Sequence, residues 1–297
     1  MRRGILTVLT MALLIVFATS ASAYDWLYTG DTAMTHDAGA FGFKAGIYYL
    51  MADASYDSDG EKQDWGDDDK WTAMWIPINL FYSPMDQLEL GINAKFAMLK
   101  YEYATMARDT EESEGTGLGD TWIYGKYMFM AEPMMTGRLG VKVATGDDEP
   151  DEGDIATGDG QMDIDAAVLF GMPAGPGMFD LSVGYRYRMA REYECGSETC
   201  EYTPGSEVHF YAAYTYYLNE MMNLKLAADG FFGSDDDDTN PDWSDDDADS
   251  MNGVWINPGF EYMMENGMMF GVDMHYPLMG QNIPAEWGFS AFFGMTM

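Results

Sequence analysis

The chain has 297 residues, 50 of them Asp or Glu against 15 Lys or Arg, for a formal net charge of -35, while 47% of it is hydrophobic and 15% aromatic. That apolar content excludes a disordered acidic tail, and the shortage of positive charge excludes a nucleic-acid binder, which needs Lys and Arg to displace phosphate counterions. No apolar run of about twenty residues occurs beyond the first 23 positions, so spanning helices are excluded on bilayer thickness.

In chain order, Met1-Arg2-Arg3, the apolar stretch Gly4 to Phe17 and the small residues Ala21-Ser22-Ala23 read as a cleaved signal peptide over 1–23, leaving Tyr24 as the first mature residue. Residues 24–39 precede the repeating pattern and read as a periplasmic N-terminal segment. From 40 to 297 the chain repeats one unit, an alternating apolar and polar stretch followed by a connection. The spacing predicts strands near 40–55, 70–82, 87–103, 118–131, 136–145, 160–170, 177–190, 205–218, 222–233, 252–263, 267–276 and 286–297. In Phe179 to Met189 every odd position is large and apolar and every even one is polar or Gly, a period of two. Pro77 and Pro258 fall inside these stretches, where bulges or strand ends are expected.

Connections alternate in length. Tight ones at Ser83-Pro84-Met85-Asp86, Glu132 to Thr136, Met172 to Pro176, Asn219-Glu220-Met221 and Glu265-Asn266-Gly267 are rich in turn formers. Between them lie long ones at 57–69, 105–117, 146–159, 191–204 and 234–251, with a shorter sixth at 277–285. Sorting by length is what a transmembrane barrel does, with short periplasmic turns and long outer loops. The fold class is therefore all-β, a transmembrane antiparallel β-barrel of about twelve strands in the bacterial outer membrane. The long loops also hold most of the acid, including Asp235, Asp236, Asp237, Asp238, Asp245, Asp246 and Asp247. These carboxylates read first as solvated surface charge, and secondly as a place for weakly bound Ca²⁺ or Mg²⁺. No other cofactor is expected. Cys195 and Cys200, the two cysteines present, fit a small loop disulfide in an oxidising compartment.

In a barrel facing lipid, the large apolar set points outward and the polar set lines the lumen. That parity puts Lys44, Lys95, Lys126, Arg138, Lys142, Arg186, Arg188 and Lys225 inside. It does the same for Glu89, Asp120, Asp163, Asp165, Asp180, Glu207, Asp229, Glu261 and Asp273, and for His209 and His275. An interior so balanced can be an ion-paired plug or a narrow polar path. The 27 Met residues fall largely at lipid-facing positions or in turns, as flexible apolar filler. A barrel hydrolase needs a Ser beside a His base at the lipid face, whereas Ser182, Ser290 and both strand His residues have inward parity, so no enzyme is expected.

Across 117–190 the chain carries Gly117-Leu118-Gly119-Asp120, Lys126-Tyr127, Gly140-Val141-Lys142-Val143-Ala144-Thr145-Gly146-Asp147, Gly158-Asp159-Gly160 and Gly184-Tyr185-Arg186. In order and spacing these resemble the outer-membrane family named for phenol meta-cleavage pathways and described as transporters. Ala144 stands where that family commonly has Pro, and Met297 closes the chain where outer-membrane barrels usually end in an aromatic residue. The resemblance implies a twelve-stranded barrel passing small, often hydrophobic molecules, with no catalytic residues to carry over. The expected function is passive diffusion of small, hydrophobic or aromatic solutes, and the alternative is a closed structural or adhesive barrel whose acidic loops bind cations or lipopolysaccharide. Expected partners are outer-membrane lipid and lipopolysaccharide, the barrel-assembly machinery and a small-molecule solute.

Overall fold

The computed structural model describes residues 31–66, 69–104, 110–148, 150, 153–195, 198–239 and 250–297. Among them every regular element is a strand. The wall strands are β1 (Phe41–Ala52), β4 (Lys70–Met85), β5 (Leu88–Ala104), β7 (Thr121–Ala131), β8 (Met134–Val143), β9 (Asp163–Ala174), β10 (Gly177–Arg188), β13 (Glu207–Tyr217), β14 (Met222–Gly233), β16 (Asn252–Met263), β17 (Met268–Gln281) and β19 (Trp287–Thr296). Each pairs antiparallel with the next, and β1 pairs with both β4 and β19, so the first and last wall strands meet and the sheet closes. A thirteenth strand, β6 (Thr110–Leu118), shares an edge of β5 with β7. It pairs with the outer half of β5, and β7 pairs with the inner half.

Short turns gather at one rim, called inner, and long connections at the other, called outer. Four connections at the outer rim fold into small sheets: β2 (Ala54–Tyr56), β3 (Lys62–Asp64) and β18 (Ile283–Pro284) form one, and β11 (Arg191–Cys195), β12 (Glu198–Thr203) and β15 (Asp237–Asp238) the other.

The pattern on β10 shows why the sequence chooses this fold. Leu181, Val183, Tyr185 and Tyr187 are exposed, while Asp180, Ser182, Arg186 and Arg188 are buried. In water such an arrangement strands apolar surface, but in lipid it satisfies both faces. Closure also removes the free sheet edges that hydrocarbon cannot solvate.

Four details differ from the sequence reading. Pro77 and Pro258 cause neither bulges nor strand ends: each keeps its partner on one side, and the ladder on the other side skips it without changing register. Proline lacks only the one N–H, so one missing bond suffices. The connection expected at 105–117 contains β6, and β17 runs on to Gln281 through most of the loop expected at 277–285. The segment leading into β1 does more than precede the barrel, because Ala33 and Thr35 are buried against its interior. Finally, the lumen is not uniformly polar. The inward positions of β1, β4 and β5 near the outer rim carry Leu50, Trp71, Trp75, Leu99 and Tyr101, packed as one buried cluster.

Candidate functional site

The lumen is built from inward side chains of every wall strand and divides into a charged network and an apolar wall. At the inner rim the residues before β1 enter it. Lys126 on β7 donates to Asp31 Oδ1 at 2.8 Å and to the Met34 carbonyl at 3.1 Å, and Arg138 on β8 donates to Asp31 Oδ2 at 2.9 Å. The Thr136 hydroxyl donates to the Ala33 carbonyl. Thr35 Oγ1 donates to the Asp86 carbonyl at 2.6 Å, and His36 Nδ1 lies 2.7 Å from Glu89 Oε2 while its ring stacks on Phe81. A short stretch of chain thus lies inside the mouth, pinned along four neighbouring wall strands, β4, β5, β7 and β8.

From there ionic contacts climb toward the outer rim. Arg138 also donates to Asp165 Oδ1 at 3.0 Å, and the other Asp165 oxygen bonds His209 Nε2 at 2.6 Å. Arg186 pairs with Glu207 at 3.1 Å and lies over the Trp122 ring. Lys142 joins Asp159 and Asp163, the latter at 2.7 Å, and Arg188 lies 3.6 Å from Asp159. Asp159 sits in the connection after β8. Burial opposes its charge, but Lys142 and Arg188 beside it, with a hydrogen bond from Asp120, hold its carboxyl below the ordinary range. On the far side, Lys225 bridges Asp273 at 2.9 Å and Glu261 at 3.5 Å, and Lys44 lies over the Phe292 ring. Asn257 donates to Asp229 and meets His275 Nδ1 at 2.7 Å. Such pairing offsets much of the cost of enclosing each charge.

Every residue that parity assigned to the interior is buried or half-buried there. Asp180 is buried with Oδ1 unpartnered, and Lys95 lies over the Trp75 ring. What parity missed is the apolar wall. Beside the cluster on β1, β4 and β5, Phe231, Trp255 and His275 form a continuous stack, with ring centroids 6.0 and 5.4 Å apart. The indole N–H groups of Trp71, Trp75 and Trp255 have no hydrogen-bond partner. Buried donors left unpaired beside apolar rings are equipped to meet a guest that carries an acceptor.

Of the acidic loop residues, Asp236 accepts from the Tyr202 hydroxyl and the Gly205 N–H, and Asp238 from the Tyr193 hydroxyl. Asp235 is exposed and Asp237 pairs through its backbone with Thr203. Asp245, Asp246 and Asp247 lie outside the described residues. Among the described residues no group of three or more His, Cys, Asp or Glu converges on a point. Cys200 is disulfide-bonded, and Cys195 is the chain's one other cysteine.

A closed antiparallel ring with an apolar outer face and a charged, paired interior defines the protein as an outer-membrane-type β-barrel. The chain belongs to the family described as "Putative MetA-pathway of phenol degradation", whose pattern it matches over residues 30–293. Among solved structures it is similar to the COG4313 outer membrane channel from Pseudomonas putida F1, at 14% identity over 90% of this chain and 98% of that one, with a TM-score of 0.72. It also resembles the transport unit of the autotransporter AIDA-I from Escherichia coli, at 12% identity over 94% and 96% of the two chains and a TM-score of 0.51. The translocator domain of the autotransporter NalP from Neisseria meningitidis is similar at 9% identity over 88% and 89%, with a TM-score of 0.50. At these identities the likeness concerns fold. No curated protein sequence matches the chain.

Proposed function

We propose that the protein is a passive outer-membrane channel for small molecules with an apolar body and few polar groups, hydrophobic and aromatic ones among them. The observation that carries this reading is the two-sided lumen. A stabilising plug would be served by ion pairs alone, whereas the buried cluster of Leu50, Trp71, Trp75, Leu99 and Tyr101, closely packed in this structure, is an apolar body that a solute of like chemistry can part and pack against. The family description, which concerns phenol degradation, and the P. putida relative's designation as a channel support it. The same reading has the chain exported by a cleaved signal peptide over 1–23, inserted by the barrel-assembly machinery, and set in lipid and lipopolysaccharide. Weak Ca²⁺ or Mg²⁺ binding at the outer acidic loops is an adjunct to it, and no catalytic step is part of it.

A second reading, a closed structural barrel, is favoured by the segment Asp31 to His36, which occupies part of the inner mouth. One pair of measurements separates the two. The channel reading expects small discrete conductance steps in a planar bilayer, and faster uptake of a small aromatic solute by cells carrying the protein than by cells without it. Replacing Trp71 and Trp75 together by Ala should lower that uptake several-fold without lowering ion conductance. A silent bilayer together with unchanged uptake would establish the closed barrel instead.

A further inference from the structure

Most cations of the lumen are matched by the chain's own carboxylates. Lys126, Arg138, Lys142, Arg186, Arg188 and Lys225 each lie within 3.6 Å of an Asp or Glu oxygen. Lys95 on β5 differs. Among the described residues no carboxylate comes within salt-bridge reach of its ammonium, which sits 4.6 Å from the centroid of the Trp75 ring. The Asp120 carboxylate, just before β7, is already taken by the N–H groups of Thr145, Gly146 and Asp159, each at 3.1 Å.

The unsatisfied polar groups around Lys95 are all donors. Asn93, the preceding inward residue of β5, is paired across the ladder with Trp122 of β7. Trp75 stands one inward position from Pro77, the partner of Lys95 on β4. Asn93 Nδ2, Trp75 Nε1 and Trp122 Nε1 are buried without a hydrogen-bond partner. A buried donor left unmatched has lost its water and gained nothing in return, so three of them beside one uncompensated ammonium form a place complementary to an acceptor that carries negative charge. Toward the outer rim the same place adjoins apolar surface. Ala97 and Leu99, the following inward residues of β5, belong with Trp75 to the buried cluster.

We propose that Lys95, Asn93, Trp75 and Trp122 form a subsite for the carboxylate of an apolar acid, whose hydrocarbon body packs toward Leu99. The guest supplies the counter-charge that other lumen cations receive from the chain, and a charge pair is stronger inside a protein than in water. One uncompensated lysine matches one negative charge, whereas a phosphate monoester brings nearly two. A phenol, with a pKa of about 10, is neutral at physiological pH and leaves the ammonium unanswered. This rests on the channel reading above and names a solute class for it, organic acids with an apolar body.

Two probes of one shape test it, 2-naphthoate and its neutral amide, 2-naphthamide. Affinity is read by calorimetric titration of the purified protein in non-ionic detergent, and entry by uptake into cells that lack general porins, with and without the protein. Wild type should bind naphthoate at least tenfold more tightly than naphthamide, by a margin that shrinks as salt rises. Lys95→Met keeps an apolar stem and removes the charge. It should weaken naphthoate binding at least tenfold and slow naphthoate uptake several-fold, with naphthamide changed less than twofold. Lys95→Arg should retain the preference. Asn93→Leu, which alters no charge, should weaken naphthoate binding at least twofold. Folding of each variant is checked by gel migration before and after boiling. Unchanged naphthoate affinity in Lys95→Met would overturn the subsite while leaving the channel reading intact. Equal loss of both probes in a folded variant would make Lys95 a structural residue and overturn it too. Displacement of naphthoate by an equal concentration of inorganic phosphate would overturn the assignment to apolar acids. Uptake of both probes no faster with the protein than without it would overturn the channel reading, and the calorimetric preference would still decide the subsite.

Discussion

At Glu286, just before β19, a carboxyl is buried with Oε1 unpartnered, and burial pushes its pKa up from an ordinary 4.5 to about 8. The folded protein therefore keeps a proton there that the unfolded chain gives up. Stability contributed by this group is fully present below pH 4.5, declines as pH rises through the window to about 8, and is constant above it. Replacing Glu286 by Gln removes the proton from the balance. The variant should lose stability less steeply than wild type across that window and be more stable than wild type at pH 9, as read by thermal unfolding in detergent. An unchanged pH slope in the variant would show that another group carries it.

Among the elements, the residues leading into β1 act as a strap, and its strength rests on Asp31, which alone answers both Lys126 and Arg138 at the mouth. Asp31→Ala takes a counter-charge from each of two enclosed cations, leaving Lys126 beside Glu89 and Arg138 beside Asp165. A loss of about 3 kcal/mol in unfolding free energy is expected, together with a larger single-channel conductance as the strap loosens. Equal conductance in the two proteins would mean that the strap does not obstruct the path. Nothing in the sequence signalled this strap, because the residues before 40 have no periodicity and their partners lie some 50 to 107 positions away. The wall strands, by contrast, were legible to within a few residues, since on β10 the large and polar positions alternate cleanly. The same rule placed no lumen residue on β4. There Trp71, Ala73 and Trp75 face inward while Met74, Ile76 and Ile78 face out, so both faces are apolar and parity had no polar set to place inside. β6 was hidden for the opposite reason: Glu111, Glu112 and Glu114 are exposed on a strand toward the outer rim and look like loop charge. The Gly and Asp motifs were visible as a resemblance, but their meeting at Asp120 is a long-range event that spacing does not reveal.

As a whole molecule the barrel is a closed ring whose described wall strands leave no free edge other than the side of β6 that Ile155 and Thr157 cover. Such a ring resists detergent until heated, so the unheated protein should migrate faster on a gel than the boiled one and should fractionate with the outer membrane. Recovery of folded protein from the periplasm without detergent would count against the membrane setting. The ring's closure between β1 and β19 also imposes an order of events on assembly. Lys126, Thr136 and Arg138, which grip the strap, belong to the first half of the chain, whereas β19 is the last strand to be made. Asp31 can therefore dock while the sheet is still an open, curling ribbon, giving the cations of β7 and β8 their counter-charge before the interior is shut off. A chain that closed first would have to bring Asp31 in through the mouth to cations already enclosed without it, so the strap is better docked on the early strands before the last one shuts the ring.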